Sequence, residues 1–145
     1  MKKSVRRAGL SVGLVSAVVL PLVGAAPASA GSAGSWNLAA EGQRICVDPD
    51  RGWPRTYAFA TVEGTWDTPI EYGIRELPPG SSGVGGTLEP GTNERDPDDG
   101  GLPVNGWLDL RIAPAPAGEY TAEVWASDGR ETQTDSLLLV FREGC

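Results

Sequence analysis

The chain has 145 residues, 40% of them hydrophobic, and 19 acidic against 12 basic residues give it a formal net charge of −7. A chain this acidic repels phosphate backbones and anionic lipids, which argues against nucleic acid or a membrane surface as its partner. It contains no histidine, and no lysine after Lys3, so it lacks the usual general bases and imidazole metal ligands, and neither a metal nor a cofactor is expected.

The first thirty residues predict a secretory signal peptide. A basic segment at residues 2–7 precedes an apolar run at 10–23, and residues 28–30 read Ala-Ser-Ala, a small-x-small cleavage pattern. The run is shorter than the roughly 20 residues that span a bilayer as a helix, so a retained membrane anchor is the weaker alternative. Cleavage after Ala30 would leave residues 31–145 as one secreted, extracellular domain, exported by the general or the twin-arginine route.

Alternation with a period of two dominates residues 31–145, and no segment there shows a helical stripe. Turn signals such as Asp48-Pro49-Asp50 and Asp128-Gly129 separate the alternating runs. Short strands of this kind predict an all-β fold, a sandwich of two antiparallel sheets with about seven strands. The predicted strands are residues 36–39, 44–47, 57–65, 70–77, 107–113, 119–127 and 133–141.

Residues 78–106 are rich in glycine, proline and acids and contain no aromatic residue. We interpret them as one long loop, with three roles left open: mobile decoration, a loop with one short edge strand at 84–88, or an ordered binding loop. Asn105-Gly106 is typical of a tight turn leading into the next strand. The acids between Asp96 and Asp99 lack the ligand spacing of a helix-loop-helix calcium site. Turn formation is therefore the preferred interpretation, with a calcium site of another geometry as the alternative.

Cys46 and Cys145 are the two cysteines of the chain. In an exported protein they predict a single disulfide, which would tie an early strand to the last residue. Two free thiols acting as a redox switch are the alternative, but no histidine or Cys-x-x-Cys pattern is present to lower a thiol pKa.

The segment around residues 112–120 carries a resemblance to a known fold. Ile112, Pro114, Gly118 and Tyr120 resemble the corner that leads into the sixth strand of immunoglobulin-like and fibronectin type III-like sandwiches. The resemblance implies that the Tyr120 hydroxyl bonds back to the backbone where the chain passes between the sheets. It implies little about function, because such sandwiches serve many roles. The signal sequence and composition suggest a secreted bacterial family of the actinobacterial type.

Trp107 and Trp125 are the candidate ligand-binding residues, because each lies on the outward side of a predicted strand whose inward side is apolar. The inward residues are Leu108, Leu110 and Ile112 in one strand and Tyr120, Ala122, Val124 and Ala126 in the other. An exposed indole offers a flat apolar surface to a sugar ring or to a partner's side chain. If their strands pair, the two form one patch; in an immunoglobulin-like topology they lie on opposite faces. The alternative is a structural role, in which Trp36, Trp53 or the 78–106 loop covers the two indoles and shields them from solvent.

The sequence therefore predicts a secreted, monomeric, non-catalytic binding or interaction module whose ligand is an extracellular glycan or protein. An inhibitor of a secreted hydrolase is the first alternative, and it would need a preorganised loop. A small carboxylate-based hydrolase is the second, because carboxylates are the remaining acid–base groups. The acids it would draw on are Glu63, Asp67, Glu71, Asp109 and Glu123.

Overall fold

The computed structural model describes residues 36–93 and 103–145, which form nine β-strands. The predicted signal peptide and the acids between Asp96 and Asp99 lie outside these residues. No helix within the described ranges has the length and apolarity needed to cross a membrane. The strands are β1 (Trp36–Leu38), β2 (Gln43–Val47), β3 (Trp53–Gly64), β4 (Ile70–Arg75), β5 (Ser82–Val84), β6 (Gly86–Leu88), β7 (Val104–Ile112), β8 (Gly118–Ser127) and β9 (Thr132–Phe141).

The strands form two sheets, which confirms the predicted all-β sandwich. The four-stranded sheet has the order β1-β3-β7-β5, and the five-stranded sheet has the order β2-β9-β8-β4-β6. The pairing differs from the prediction at one edge, because β2 runs parallel to β9. The long path that separates β2 from β9 along the chain allows the parallel arrangement, which a short turn would not.

The core lies between the sheets and is built from strands with one apolar face. In β7 the buried residues Leu108, Leu110 and Ile112 alternate with exposed ones, and β8 contributes Ala122 and Val124 in the same way. Since successive side chains of a strand point to opposite faces, this alternation places every second residue in the core. Other side chains that are almost completely buried are Val47, Val62, Ile70, Leu137, Leu139 and Phe141.

The long segment predicted as one loop contains two short strands in different sheets. β5 pairs with β7, whereas β6 pairs with β4, so the chain crosses from one sheet to the other at Gly85. A Cβ at Gly85 would lie 1.9 Å from the Tyr72 carbonyl oxygen, so only glycine fits the crossing. Residues 84–88, which the sequence predicted as one possible edge strand, therefore belong, on either side of Gly85, to two strands in different sheets.

The predicted turn at Asn105-Gly106 is wrong, because both residues lie inside β7. They pair with Thr61 and Ala60 of β3. A Cβ at Gly106 would meet the Tyr72 ring at 2.7 to 2.8 Å, so the glycine leaves space for an aromatic ring from the opposite sheet. The glycine therefore serves packing across the core.

The corner implied by the sandwich resemblance is present. The Tyr120 hydroxyl donates a hydrogen bond to the Pro116 carbonyl oxygen at 3.1 Å. Pro114 lies in the connection from β7 to β8, which passes between the sheets, and Gly118 is the first residue of β8. The Tyr120 ring packs edge-on against Phe141, with centroids 5.1 Å apart. The ring and its hydroxyl thus join the corner to the core.

We expect Tyr120→Phe to lower the free energy of unfolding by about 1 kcal/mol, because it removes one hydrogen bond and keeps the ring. Urea denaturation of the two proteins measures the difference. Tyr57→Phe is the matched control, since within the described ranges the Tyr57 hydroxyl has no hydrogen-bond partner, and it should leave stability unchanged. Equal stability of Tyr120→Phe and the wild-type protein would contradict the structural role of this hydroxyl.

Cys46 of β2 and Cys145 form a disulfide with Cα atoms 5.4 Å apart and 99 residues of sequence separation. The bond anchors the C-terminus beside the parallel pair of β2 and β9. The Arg142 N–H donates to the Val47 carbonyl at 3.1 Å and continues that pairing beyond β9. The disulfide therefore closes nearly the whole described fold into one covalent loop.

Two glutamine side chains connect the sheets along one edge of the sandwich. Gln43 of β2 donates from Nε2 to the Phe59 carbonyl at 2.7 Å, and its Oε1 accepts from the Phe59 N–H at 2.8 Å. Gln133 of β9 accepts from the Leu38 N–H at 2.8 Å and donates to the Trp36 carbonyl at 3.2 Å. Each amide gives the backbone of the opposite sheet the donor and acceptor that a neighbouring strand would supply.

Candidate functional site

The two predicted binding residues lie on opposite outer faces of the sandwich. Trp107 belongs to β7 of the four-stranded sheet, and Trp125 belongs to β8 of the five-stranded sheet. Both alternate with buried residues, so both point away from the core. The structure therefore does not bring the two tryptophans together, and each is surrounded by different neighbours.

Trp107 is part of an aromatic cluster with Tyr57 and Phe59 of β3. Phe59 is its direct partner across the two strands. The Trp107 ring centroid lies 4.7 Å from that of Tyr57 and 5.0 Å from that of Phe59, with ring planes inclined at 49° and 72°. Trp107 is 55% exposed and Tyr57 is 51% exposed. Since the rings are tilted against one another, the cluster is a compact apolar surface rather than a flat row of rings.

The cluster sits within four rows of side chains that cross the outer face of the four-stranded sheet. Successive rows on one face are two residues apart, which is about 7 Å along a strand. The rows change in character from polar, through aromatic and mixed, to cationic. They are Thr61 with Asn105, Phe59 with Trp107, Tyr57 with Asp109 and Val84, and lastly Arg55 with Arg111 and Ser82.

The cationic end of this face is formed by a β-bulge. Two residues of β3, Pro54 and Arg55, occupy the place opposite Arg111 because the register shifts between Trp53 and Thr56. Arg55 and Arg111 are both exposed, and neither has an ion-pair partner within residues 36–93 and 103–145. Arg44, Arg51 and Arg75, in contrast, each pair with a carboxylate.

The polar end of the face carries a hydrogen bond between side chains. The Thr61 hydroxyl donates to Asn105 Oδ1 at 2.7 Å, which links β3 to β7 next to the aromatic cluster. The bond uses the amide oxygen of Asn105, so its NH₂ group is directed elsewhere and can donate to a ligand. The aromatic cluster is thus flanked by hydrogen-bonding groups at both ends.

Trp125 has a more enclosed environment. It is half-buried, and its ring lies over Gly73 of the neighbouring strand β4, its direct partner in the sheet. A Cβ at Gly73 would approach the indole to 2.7 Å. The indole therefore covers backbone that has no side chain of its own, and one of its two faces is used in doing so.

The acids considered for carboxylate catalysis are spread over the surface. Glu71 and Glu123 lie on the five-stranded sheet, where Glu123 forms an ion pair with Arg75, while Asp109 lies on the opposite face. Glu63 shares a face with Asp109 but is three rows away, about 20 Å along the strand direction. Glu71 and Glu123 are two rows apart on their own face, about 14 Å along the strand direction. Glycosidase carboxylates are about 5 to 10 Å apart, so neither pair matches that geometry.

Within the described ranges, no group of three or more His, Cys, Asp or Glu side chains is placed to hold a metal ion. Asp48 shows how one acid is used instead. Its Oδ1 accepts from the N–H groups of Asp50 and Arg51 at 3.0 and 3.1 Å, and its Oδ2 accepts from the Arg51 guanidinium at 2.9 Å. The hydrogen bond from the Arg51 side chain is the main cause that lowers the pKa of Asp48. This carboxylate stabilises a turn.

Fold and surface together define an all-β sandwich domain with an exposed aromatic face. Residues 37–143 match the model of DUF5980, a family of unknown function, and the chain belongs to that family. Among solved structures, it is similar to the ASH/PapD-like domain of human CEP192 (PapD-like domain 7). That match has 12% identity and a TM-score of 0.36 over 93% of this chain and 100% of that chain. A search of the curated proteins found no match.

Proposed function

We propose that this protein is a secreted, monomeric, non-catalytic module that binds an extracellular polysaccharide through the outer face of its four-stranded sheet. The observation that carries the proposal is the aromatic cluster, in which Trp107 and Tyr57 are each about half exposed on a sheet face. Exposed rings at the centre of a surface with polar side chains on both sides are typical of recognition sites. The C–H groups on one side of a pyranose ring are attracted to the negative face of an aromatic ring.

The size of the face favours a sugar chain over a protein as the ligand. Strands are about 4.8 Å apart, so β3 to β5 covers about 10 Å, and the four rows cover about 20 Å. This strip is narrower than the patch of about 800 Å² of accessible surface that a standard protein interface takes from each partner. A narrow polymer such as a glycan fits the shape. Trp125, on the other face, is in this proposal a structural cover for Gly73.

The test compares Trp107→Ala with Trp125→Ala, two substitutions of the same residue type at outward positions of opposite sheets. Binding to cellulose, xylan, dextran and polygalacturonate is measured by affinity electrophoresis and by tryptophan fluorescence, with thermal unfolding as the folding control. We expect Trp107→Ala to weaken binding at least about tenfold and Trp125→Ala to leave it unchanged once the variant is folded. No release of reducing ends is expected from the wild-type protein.

A weakened Trp125→Ala with an unaffected Trp107→Ala would contradict the assignment of the binding face. Failure of the wild-type protein to bind any of the polymers would contradict a polysaccharide ligand and leave an extracellular protein as the partner to be sought.

A further inference from the structure

The cationic end of the binding face has no explanation in the fold. Two of the eight arginines that follow residue 7 are brought close at the bulge of β3, where Arg55 is one of the two residues that lie opposite Arg111 of β7. Like charges placed opposite each other in a sheet destabilise it. Neither is compensated by an ion pair within the described ranges, although the chain as a whole has 19 acids against 12 bases. Acidic residues are therefore abundant, and yet none of those in the described ranges forms an ion pair with either arginine.

The position of these arginines relates them to the aromatic cluster. Arg55 is two residues from Tyr57 on the same strand, and Arg111 is four residues from Trp107. At about 3.4 Å per residue, the backbone of Arg55 lies about 7 Å along the strand from that of Tyr57, and the backbone of Arg111 lies about 14 Å from that of Trp107. These are distances that one or two sugar rings can span. Asp109, in the row between, can accept hydrogen bonds from sugar hydroxyl groups.

Building on the proposed function, we infer that the ligand is an anionic polysaccharide. One sugar ring packs on Trp107 and Tyr57, and an oxyanion on that ring or the next binds Arg55 and Arg111. Guanidinium groups bind oxyanions such as carboxylates and phosphates through charge-assisted pairs of hydrogen bonds, whereas the hydroxyl groups of neutral sugars carry no charge. Because the chain as a whole is acidic, a polyanion is repelled from most of its surface and is directed to this cationic end.

The test uses two polymer pairs that differ in charge alone: polygalacturonate with its methyl-esterified form, and dextran sulfate with dextran. The first pair reports on a carboxylate and the second on a sulfate. We expect the wild-type protein to bind at least one anionic polymer about tenfold or more tightly than its neutral counterpart at physiological salt. The double variant Arg55→Gln/Arg111→Gln should lose this preference while its binding to the neutral polymer is retained.

The matched control is Arg44→Gln/Arg130→Gln, which removes the same amount of charge from two exposed positions outside the four-stranded sheet. This variant should keep the preference for the anionic polymer. An equal loss in both double variants would overturn the inference, because the preference would then reflect overall charge. Circular dichroism and thermal unfolding establish that each variant is folded.

Two further outcomes separate this inference from the proposed function. If the wild-type protein binds charged and neutral polymers equally and Trp107→Ala weakens both, the anionic ligand is overturned and the polysaccharide module stands. If none of these four polymers is bound and cellulose and xylan are not bound either, both are overturned.

Discussion

Replacing Cys46 and Cys145 by serine is expected to lower the free energy of unfolding by about 2 to 5 kcal/mol. The two residues are 99 positions apart, and in the chain-entropy model a cross-link over a loop of about this length restricts the unfolded chain strongly. The native state loses an anchor as well, since β2 is an edge strand held in its sheet by β9 alone within the described residues. For a domain of this size the loss is a large part of the total stability.

Urea denaturation of the double variant beside the oxidised wild-type protein measures this effect. The wild-type protein under a reducing agent is the control, and it should unfold at the same urea concentration as the variant. A variant as stable as the oxidised protein would show that the disulfide contributes little, and that the sheet pairing alone holds β2.

Phe141→Ala is expected to lower the free energy of unfolding by about 3 to 5 kcal/mol. Phe141 is 1% exposed and is among the largest fully buried side chains of the described core. It ends β9, pairs with Val47 on one side and Gly118 on the other, and contacts the Tyr120 ring edge-on. Its removal leaves a cavity where the corner, the central strands and the edge strand meet.

Leu138→Ala is the matched control, because Leu138 belongs to the same strand but is only half-buried. It should cost about 1 kcal/mol, as partly exposed positions generally do. Thermal and urea unfolding of both variants provide the comparison. Equal losses in the two would mean that the end of β9 relaxes around the missing ring and that the core is less tightly packed there.

The sandwich could be predicted because the inward parity of β7 and β8 is almost entirely apolar, whereas the outward parity is polar apart from Trp107 and Trp125. Leu108, Leu110 and Ile112 alternate with polar or exposed residues, so periodicity alone assigns the buried face. The corner at Tyr120 was predictable for a different reason, since its residues follow a pattern shared by a class of folds. In both places residues that are close together in the sequence are sufficient to predict the structure.

Features that depend on distant residues could not be predicted in this way. Asn105-Gly106 has the composition of a turn, but the Tyr72 ring from the opposite sheet fills the space that Gly106 leaves. The crossing at Gly85 and the parallel pairing of β2 with β9 are likewise set by partners far along the chain. Sequence patterns describe neighbours in the chain, whereas these features are decided by neighbours in space.

The exposed aromatic face was predicted only in part. Trp107 could be placed outward because its own strand has an unambiguous apolar face. Tyr57 and Phe59 alternate with Ala58 and Ala60. In such a strand the side with the larger, aromatic side chains is expected to face the core. The structure has the opposite arrangement, with both alanines buried. The small side chains allow the sheets to approach, and this places the aromatic rings on the outside beside Trp107.

The side-chain amide of Gln43 has a consequence for how the protein behaves at high concentration. By occupying the N–H and C=O of Phe59, it removes the docking point that an unpaired strand edge would otherwise offer to a second molecule. The proline and the bulge near the start of β3 disrupt the remainder of that edge. Strand-by-strand growth into fibres is thereby disfavoured on this side, even though aromatic rings are exposed on the outer face of the same sheet.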